Sequence, residues 1–513
     1  MSRHDEALLE PRASNEIQER ELATGGRAVG AEAVALDAGA AGAGSVDTPA
    51  AREGSVWSAV REALAGSHRD YTEGPLGRAV LVLAIPMVLE MLMESVFVVA
   101  DVFFVARLGS DAVATVGLTE SMLALVYAMA MGLSIGVTAT VARRTGEHDR
   151  DGAARAAVQG LVLGCIVAAV IGVVGVISAP HLLALMGASP EVVATGSSFT
   201  RVMLGGSASI LLLFLVNAVF RGAGDAALAM RTLWLANGIN IALAPCLIFG
   251  LGPFPQMGVT GAAVATTIGR GTGVLFGLSR LLSPTSRLAV SRRHLAIDPA
   301  LMLRLVRLSG NGTLQVLIGT ASWIGLVRIV ASFGSEALAG YTIAIRIILF
   351  ALLPAFGLGN AAATLVGQAL GAGKPERAER AVHMAGKYNT VFLGLVSLVF
   401  VLAAPAIVAP FTHDAAVHAF AIDGLRVLAA GFLLYAYGMV ISQSFNGAGD
   451  TRTPTMLNLV CFWLWEIPLA YALAIGLGMG PHGVFLAITI AFSTFTAFAA
   501  VMFRRGTWKS KVV

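Results

Sequence analysis

From Ala79 onward the chain alternates long apolar runs with short polar breaks. A helix that crosses a bilayer needs about 20 mostly apolar residues. Twelve runs reach that length, at roughly 79–105, 113–141, 156–180, 199–220, 230–252, 258–282, 308–333, 337–365, 388–411, 421–445, 454–478 and 482–503. They are continuous, which excludes the alternating ten-residue segments of a transmembrane barrel. The pattern predicts an all-α polytopic membrane protein with twelve transmembrane helices. Pro86, Pro245, Pro354 and Pro468 fall inside spans and should kink them. Gly160 and Gly164 form a small-residue pair that permits close helix packing.

Residues 1–75 read differently. The stretch from Ala23 to Ala51 is rich in Ala and Gly and has neither a helical nor a strand period. It cannot bury enough apolar area to offset its chain entropy. A disordered cytoplasmic tail is expected, and it contains no apolar core of a secretory signal. Near its end, Val56, Trp57, Val60 and Leu64 share one helical face, with Arg61 and Glu62 on another. That suits a short helix lying on the membrane surface.

Composition agrees with the spans. Hydrophobic residues make up 56% of the 513 and charged residues only 13%, against about 25% charged in a soluble domain. A soluble globule of this size is excluded. Cys165, Cys246 and Cys461 all sit in apolar runs, so no disulfide framework or metal-binding cysteine pair is present. The net charge of +4 says little; its distribution says more. Of the 35 Lys and Arg residues, 29 lie in the tail, in the loops joining even to odd spans, and at the C-terminus. Basic loops mark the cytoplasmic side, so both termini are expected there. The remaining six are Arg107, Arg201, Arg270, Arg328, Arg346 and Arg426.

The two halves repeat at an offset of 225 residues. Arg107-Leu-Gly109-Ser-Asp111 becomes Ser332-Phe-Gly334-Ser-Glu336, Gly132 matches Gly357, and Gly146 matches Gly371. Phe220-Arg-Gly-Ala-Gly-Asp225 matches Phe445-Asn-Gly-Ala-Gly-Asp450. Six spans per repeat give both repeats the same orientation, about a pseudo-twofold axis along the membrane normal. Parallel repeats of this kind build transporters that rock two lobes about a central cavity. The expected division is a tail (1–75), an N-lobe (76–282), a cytoplasmic linker (283–307) and a C-lobe (308–513).

The first span, from Ile85-Pro86 through Glu90, Glu94 and Asp101 to Gly109, resembles the opening helix of MATE (multidrug and toxic compound extrusion) transporters, of the MOP flippase superfamily. So do Val366-Gly-Gln368-Ala-Leu-Gly371-Ala-Gly-Lys374, the two Gly-Ala-Gly-Asp loops, and Glu466-Ile-Pro468-Leu-Ala-Tyr471. The likeness runs from about residue 79 to 503. It implies two six-helix bundles around a V-shaped cavity, and a secondary antiporter exporting organic compounds in exchange for H⁺ or Na⁺. It also implies no cofactor beyond that ion, the bilayer and a small organic substrate as partners, no nucleic acid, a monomer, and a bacterial inner membrane.

Ionisable groups inside a bilayer are costly and usually functional. At about 100° per residue, Glu94 lies about 40° from Glu90, and Asp101 about 20° back from Glu94. All three therefore leave one face of the first span, which cannot meet lipid. Such carboxylates can exchange protons or hold Na⁺ through their oxygens. The resemblance singles out Asp101, which matches the family's coupling aspartate, with Na⁺ as an alternative occupant there. A second aspartate of some relatives is missing: Asn240 is kept, but Ala244 stands at the acidic position, and Glu90 and Glu94 are candidates to replace it. Asn217 and Asn240 are expected to orient Asp101, to coordinate an ion, or to join helices. In the second lobe the equivalent positions are Gln315, Gly319 and Leu326, so coupling should centre on the N-lobe. Glu466, beside Trp465, reads as a cavity acid for a cationic substrate, with a salt bridge to Arg346 as the alternative. Gln315 and Tyr435 complete the expected substrate cavity. Glu120 and Asp423 sit near span ends and read as interfacial.

Other classes fit less well. Gly371-Ala-Gly373-Lys374 is followed by Pro375 and lacks the glycine spacing of a phosphate-binding loop. No histidine lies mid-span to serve an intramembrane enzyme. The nearest rival is a lipid-linked or polysaccharide-precursor flippase of the same superfamily, whose central cavity would be cationic.

Overall fold

The computed structural model describes residues 56–511, except His68 and Ala289. The expected disordered tail through residue 55 lies outside the described residues. Everything described is helix or connecting loop. A short helix α1 (Val56–Ala65) precedes the bundle. The first repeat comprises α2 (Leu76–Ala106), α3 (Ser110–Gly146), α4 (Arg150–Leu185), the pair α5 (Pro190–Gly205) and α6 (Ser207–Gly222), α7 (Ala226–Phe249) and α8 (Val259–Leu281). The second comprises α9 (Pro299–Ala331), α10 (Ser335–Gly371), α11 (Pro375–Val408), the pair α12 (Ala415–Ala430) and α13 (Phe432–Gly447), the segment Arg452–Gly476 that contains α14 (Arg452–Asn458) and α15 (Ile467–Tyr471), and α16 (Pro481–Arg504).

Ten of these segments are long and apolar enough to cross a membrane, and α12–α13, bent by 57°, forms an eleventh. The twelfth, α8, has 23 residues; the polar and small stretch Thr266–Gly273 around Arg270 lowers its hydropathy. The twelve expected spans are thus all helices. Asp149, Asp225, Asp298 and Asp414 cap four helices by accepting hydrogen bonds from first-turn amides, which otherwise lack partners.

The repeat is visible in the packing. A Cβ on Gly146 would collide with the backbone of Gln368, and one on Gly371 with the backbone of Arg143. These two contacts exchange under the 225-residue offset. Gly132 against Thr313 and Gly357 against Val88 exchange the same way. The lobes therefore join through symmetric glycine contacts along α3, α9, α10 and the first half of α2. This seam runs toward the end of the molecule that gathers the basic loops. There Gln368 Nε2 donates to Gly222 O at 2.9 Å, and Arg143 Nη2 donates to Lys511 O at 2.5 Å.

Order extends into the region assigned to the tail. Helix α1 exists, but Ala59 and Ala63 form its buried face, while Trp57 is 79% exposed. Small residues win because α1 lies directly on α2 and α7, where Glu62 meets Arg78 at 2.7 Å and Arg231 holds the carbonyls of Leu64 and Ala65. The exposed face keeps Trp57 and Leu64 for an apolar environment.

The seam makes a direct prediction. Gly146→Leu forces two backbones apart and should lower unfolding stability by about 1–3 kcal/mol. Gly117→Leu, with nothing within 4 Å of its Cβ, should leave the thermal midpoint unchanged.

Candidate functional site

Helix α2 presents Glu90, Glu94 and Asp101 to the N-lobe interior, and the lobe answers each differently. Glu90 is 1% exposed. Its Oε1 accepts from Arg221 Nη1 at 2.7 Å and from Asn217 Nδ2 at 3.1 Å, both on α6. Glu94 accepts from Asn237 Nδ2 on α7 at 2.9 Å, and its other oxygen faces Arg270 Nη2 of α8 at 3.5 Å. Arg270 is buried, donates to the Tyr127 hydroxyl at 2.8 Å, and lies 5.4 Å from the ring centres of both Phe97 and Tyr127. One guanidinium is thus held by a carboxylate, a phenol oxygen and two aromatic faces.

Asp101 is left over. Its Oδ1 is buried and has no hydrogen-bond partner among the described residues. The charges that act on it are Glu120 of α3 and Arg270. The two asparagines expected to serve it are engaged elsewhere: Asn217 holds Glu90, and Asn240 Nδ2 donates to Thr266 Oγ1 at 2.8 Å. Neither orients Asp101. Glu90, a candidate to replace the missing acid, is paired with Arg221.

The C-lobe differs. Glu466 is 3% exposed, inside the lobe rather than on a cavity wall. It ends a π-helical stretch, Leu459–Glu466. Tyr435 is stacked on Phe492 at 4.0 Å, also within the lobe. Gln315 has a buried, unpartnered Oε1, and its carbonyl accepts from Asn458. Trp465 is 43% exposed, pointing away from its buried neighbour. The expected pair of Glu466 with Arg346 does not form. Arg346 of α10 and Glu120 of α3 are both exposed about ten residues into their helices, a depth at which charged side chains are costly against lipid. Asp423 pairs with His482 at 2.8 Å.

Sequence reading missed Arg221, Arg270, Tyr127 and Asn237. Arg221 was counted as a loop base because it abuts Gly-Ala-Gly-Asp. Arg270 carried a usable signal, as a mid-span arginine in the lobe that holds three mid-span acids.

Twelve helices in two like-oriented repeats, with charges buried at mid-span, define an integral membrane transporter rather than an enzyme. The MatE family model matches residues 86–246 and 313–472, one match in each repeat, and the chain belongs to this family. It is 25% identical over 420 residues to the "Probable multidrug resistance protein YoeA" of Bacillus subtilis, covering 81% of this chain and 91% of that one. It is 26% identical over 419 residues to a Shewanella oneidensis "FAD transporter", covering 81% and 92%. Among solved structures, one described as the "Outward-facing conformation of a multidrug resistance MATE family transporter of the MOP superfamily" superposes with a TM-score of 0.80 at 27% identity. It covers 86% of this chain and 98% of that one.

Removing one partner of a buried ion pair strands the other charge, at about 3–5 kcal/mol. Glu90→Gln should therefore destabilise the protein by that amount in an unfolding measurement. The double variant Glu90→Gln/Arg221→Met should recover most of the loss.

Proposed function

We propose that this protein is a proton-coupled antiporter that exports organic solutes by alternating access. The single observation that carries the reading is the state of Asp101: of the three acids on α2, it alone has no cationic or amide partner. A carboxylate already held by an arginine is a poor ion carrier, because an incoming cation must displace the guanidinium. Asp101 makes no ion pair or hydrogen bond of that kind among the described residues, so its protonation is free to follow hydration as the lobes move.

Na⁺ fits the site less well. It would need several oxygens at short range, and among the described residues no group of three or more acidic, histidine or cysteine side chains comes together to hold a metal ion. With the basic end cytoplasmic, the glycine seam closes the inner half, and Glu120 and Arg346 stand on the outward side. Glu120 suits a cationic solute, in line with relatives named for multidrug resistance. Arg346 supports a second reading, an anionic organic solute, and one relative is named an FAD transporter. The protein would work in a bacterial inner membrane with both termini inside.

The test is efflux of a fluorescent cationic dye from proteoliposomes under ΔpH or ΔNa⁺ applied separately. Wild type should respond to ΔpH, and Asp101→Asn should lose that response by at least about tenfold. Response to ΔNa⁺ alone would reassign the ion. Movement of an anionic dye only would favour the second reading.

A further inference from the structure

The Gly-Ala-Gly-Asp loop after α6 has no part in the transport reading, yet it sits where four segments meet. Gly224 adopts φ +80, and a Cβ there would lie 2.9 Å from the Tyr71 ring, 3.0 Å from Arg287 Nη1 and 3.1 Å from Gln368 Nε2. Only glycine lets the segment before α2, the inter-repeat linker and α10 converge on this loop. Beside it is a cavity of about 510 Å³ at the basic end, between these segments and the α3–α4 turn.

The cavity wall is cationic and polar. Arg69, His148, Arg150 and Arg287 line it together with Thr145 and Gln368. Arg69 is matched by Glu62 at 2.5 Å. The single acid of the wall, Asp70, faces His148 at 3.7 Å. Arg287 donates to the carbonyls of Ser67, Arg69 and Ala223, which orient the guanidinium without neutralising it. Arg150 has no acidic partner among the described residues. Arg150 and Arg287 thus stand around one cavity without an ion pair among the described residues, with Asp70 as the single acid of its wall.

One further observation points to an occupant. Thr145 Oγ1 is buried in the wall with no hydrogen-bond partner. We propose that this cavity binds a phosphate-bearing anion, either the headgroup of an acidic lipid or free phosphate. Arg150 and Arg287 supply the charge, and Thr145 donates its hydroxyl. Arginine forks and hydroxyls match phosphate oxygens, and basic pockets at the cytoplasmic side of helix bundles take acidic headgroups. Because Gln368 belongs to one repeat and Thr145 and Arg150 to the other, a bound anion bridges both repeats and stabilises the closed basic end. The site stands whether or not Asp101 couples transport.

The experiment measures thermal unfolding of the full chain. In detergent, sodium phosphate is compared with sodium chloride at equal ionic strength. In nanodiscs, phosphatidylcholine alone is compared with phosphatidylcholine plus phosphatidylglycerol. Wild type should be stabilised by phosphate, by phosphatidylglycerol, or by both, and the responding arm names the source. Arg150→Ala and Thr145→Val should each weaken the midpoint-concentration response by roughly tenfold while unfolding normally in chloride. Arg155→Ala, outside the cavity wall, should respond like wild type. No response in either arm, or an undiminished response in both cavity variants, would overturn the proposal.

Discussion

An arginine within a bilayer-spanning bundle is tolerable only if a carboxylate meets it, and the N-lobe is arranged around that requirement. Arg221 and Arg270 enter from α6 and α8, and both are answered from α2. With Asn217, Asn237 and Tyr127 they tie α2 to four other helices. These bonds fix the rotation of α2 about its own axis. That rotation places Asp101, about two turns further along the same face, in the lobe interior with nothing to neutralise it. Breaking either pair would cost several kcal/mol, so the free acid is held in place by the bound ones.

The lobes share a backbone plan but not this chemistry. The glycine contacts exchange across the pseudo-twofold axis almost residue for residue. Trp234 Nε1 donates to the Leu89 carbonyl, and Trp463 Nε1 makes a like bond to Ile318, about one helical turn beyond the equivalent position. Yet Glu90, Glu94 and Asp101 correspond to Gln315, Gly319 and Leu326, and Leu326 is packed in the C-lobe core. The seam is symmetric because each lobe supplies a glycine where the other supplies backbone. Charge coupling needs only one lobe.

Much of this was legible in the sequence, and the reasons are physical. Spans announce themselves because lipid exposure demands about 20 apolar residues each, and the offset of 225 survives because close glycine contacts tolerate no side chain. The shared face of Glu90, Glu94 and Asp101 followed from helix geometry alone. What stayed hidden was pairing. Glu90 and Arg221 are 131 residues apart, and nothing local distinguishes Arg221 from a loop base. Asn217 and Asn240 were placed in the correct lobe with three roles open, and the structure shows the one that joins helices, since amides bond whatever tertiary packing brings near. Glu466 was expected at a cavity wall, and burial within the C-lobe is decided by helix rotation that hydropathy does not report. Helix α1 was read as a surface helix by its bulky face, and its opposite contact with α2 and α7, through Ala59 and Ala63, carried no sequence signal.

The central claim is that α2 carries two acids paired with arginine and one that exchanges a proton. Infrared difference spectra between high and low pH read protonated carboxyl groups directly, and Gln and Asn variants assign the bands. The account predicts a pH-dependent carboxyl band in wild type that disappears in Asp101→Asn and persists in Glu90→Gln and Glu94→Gln. A band that survives Asp101→Asn and vanishes with Glu90→Gln or Glu94→Gln would contradict it.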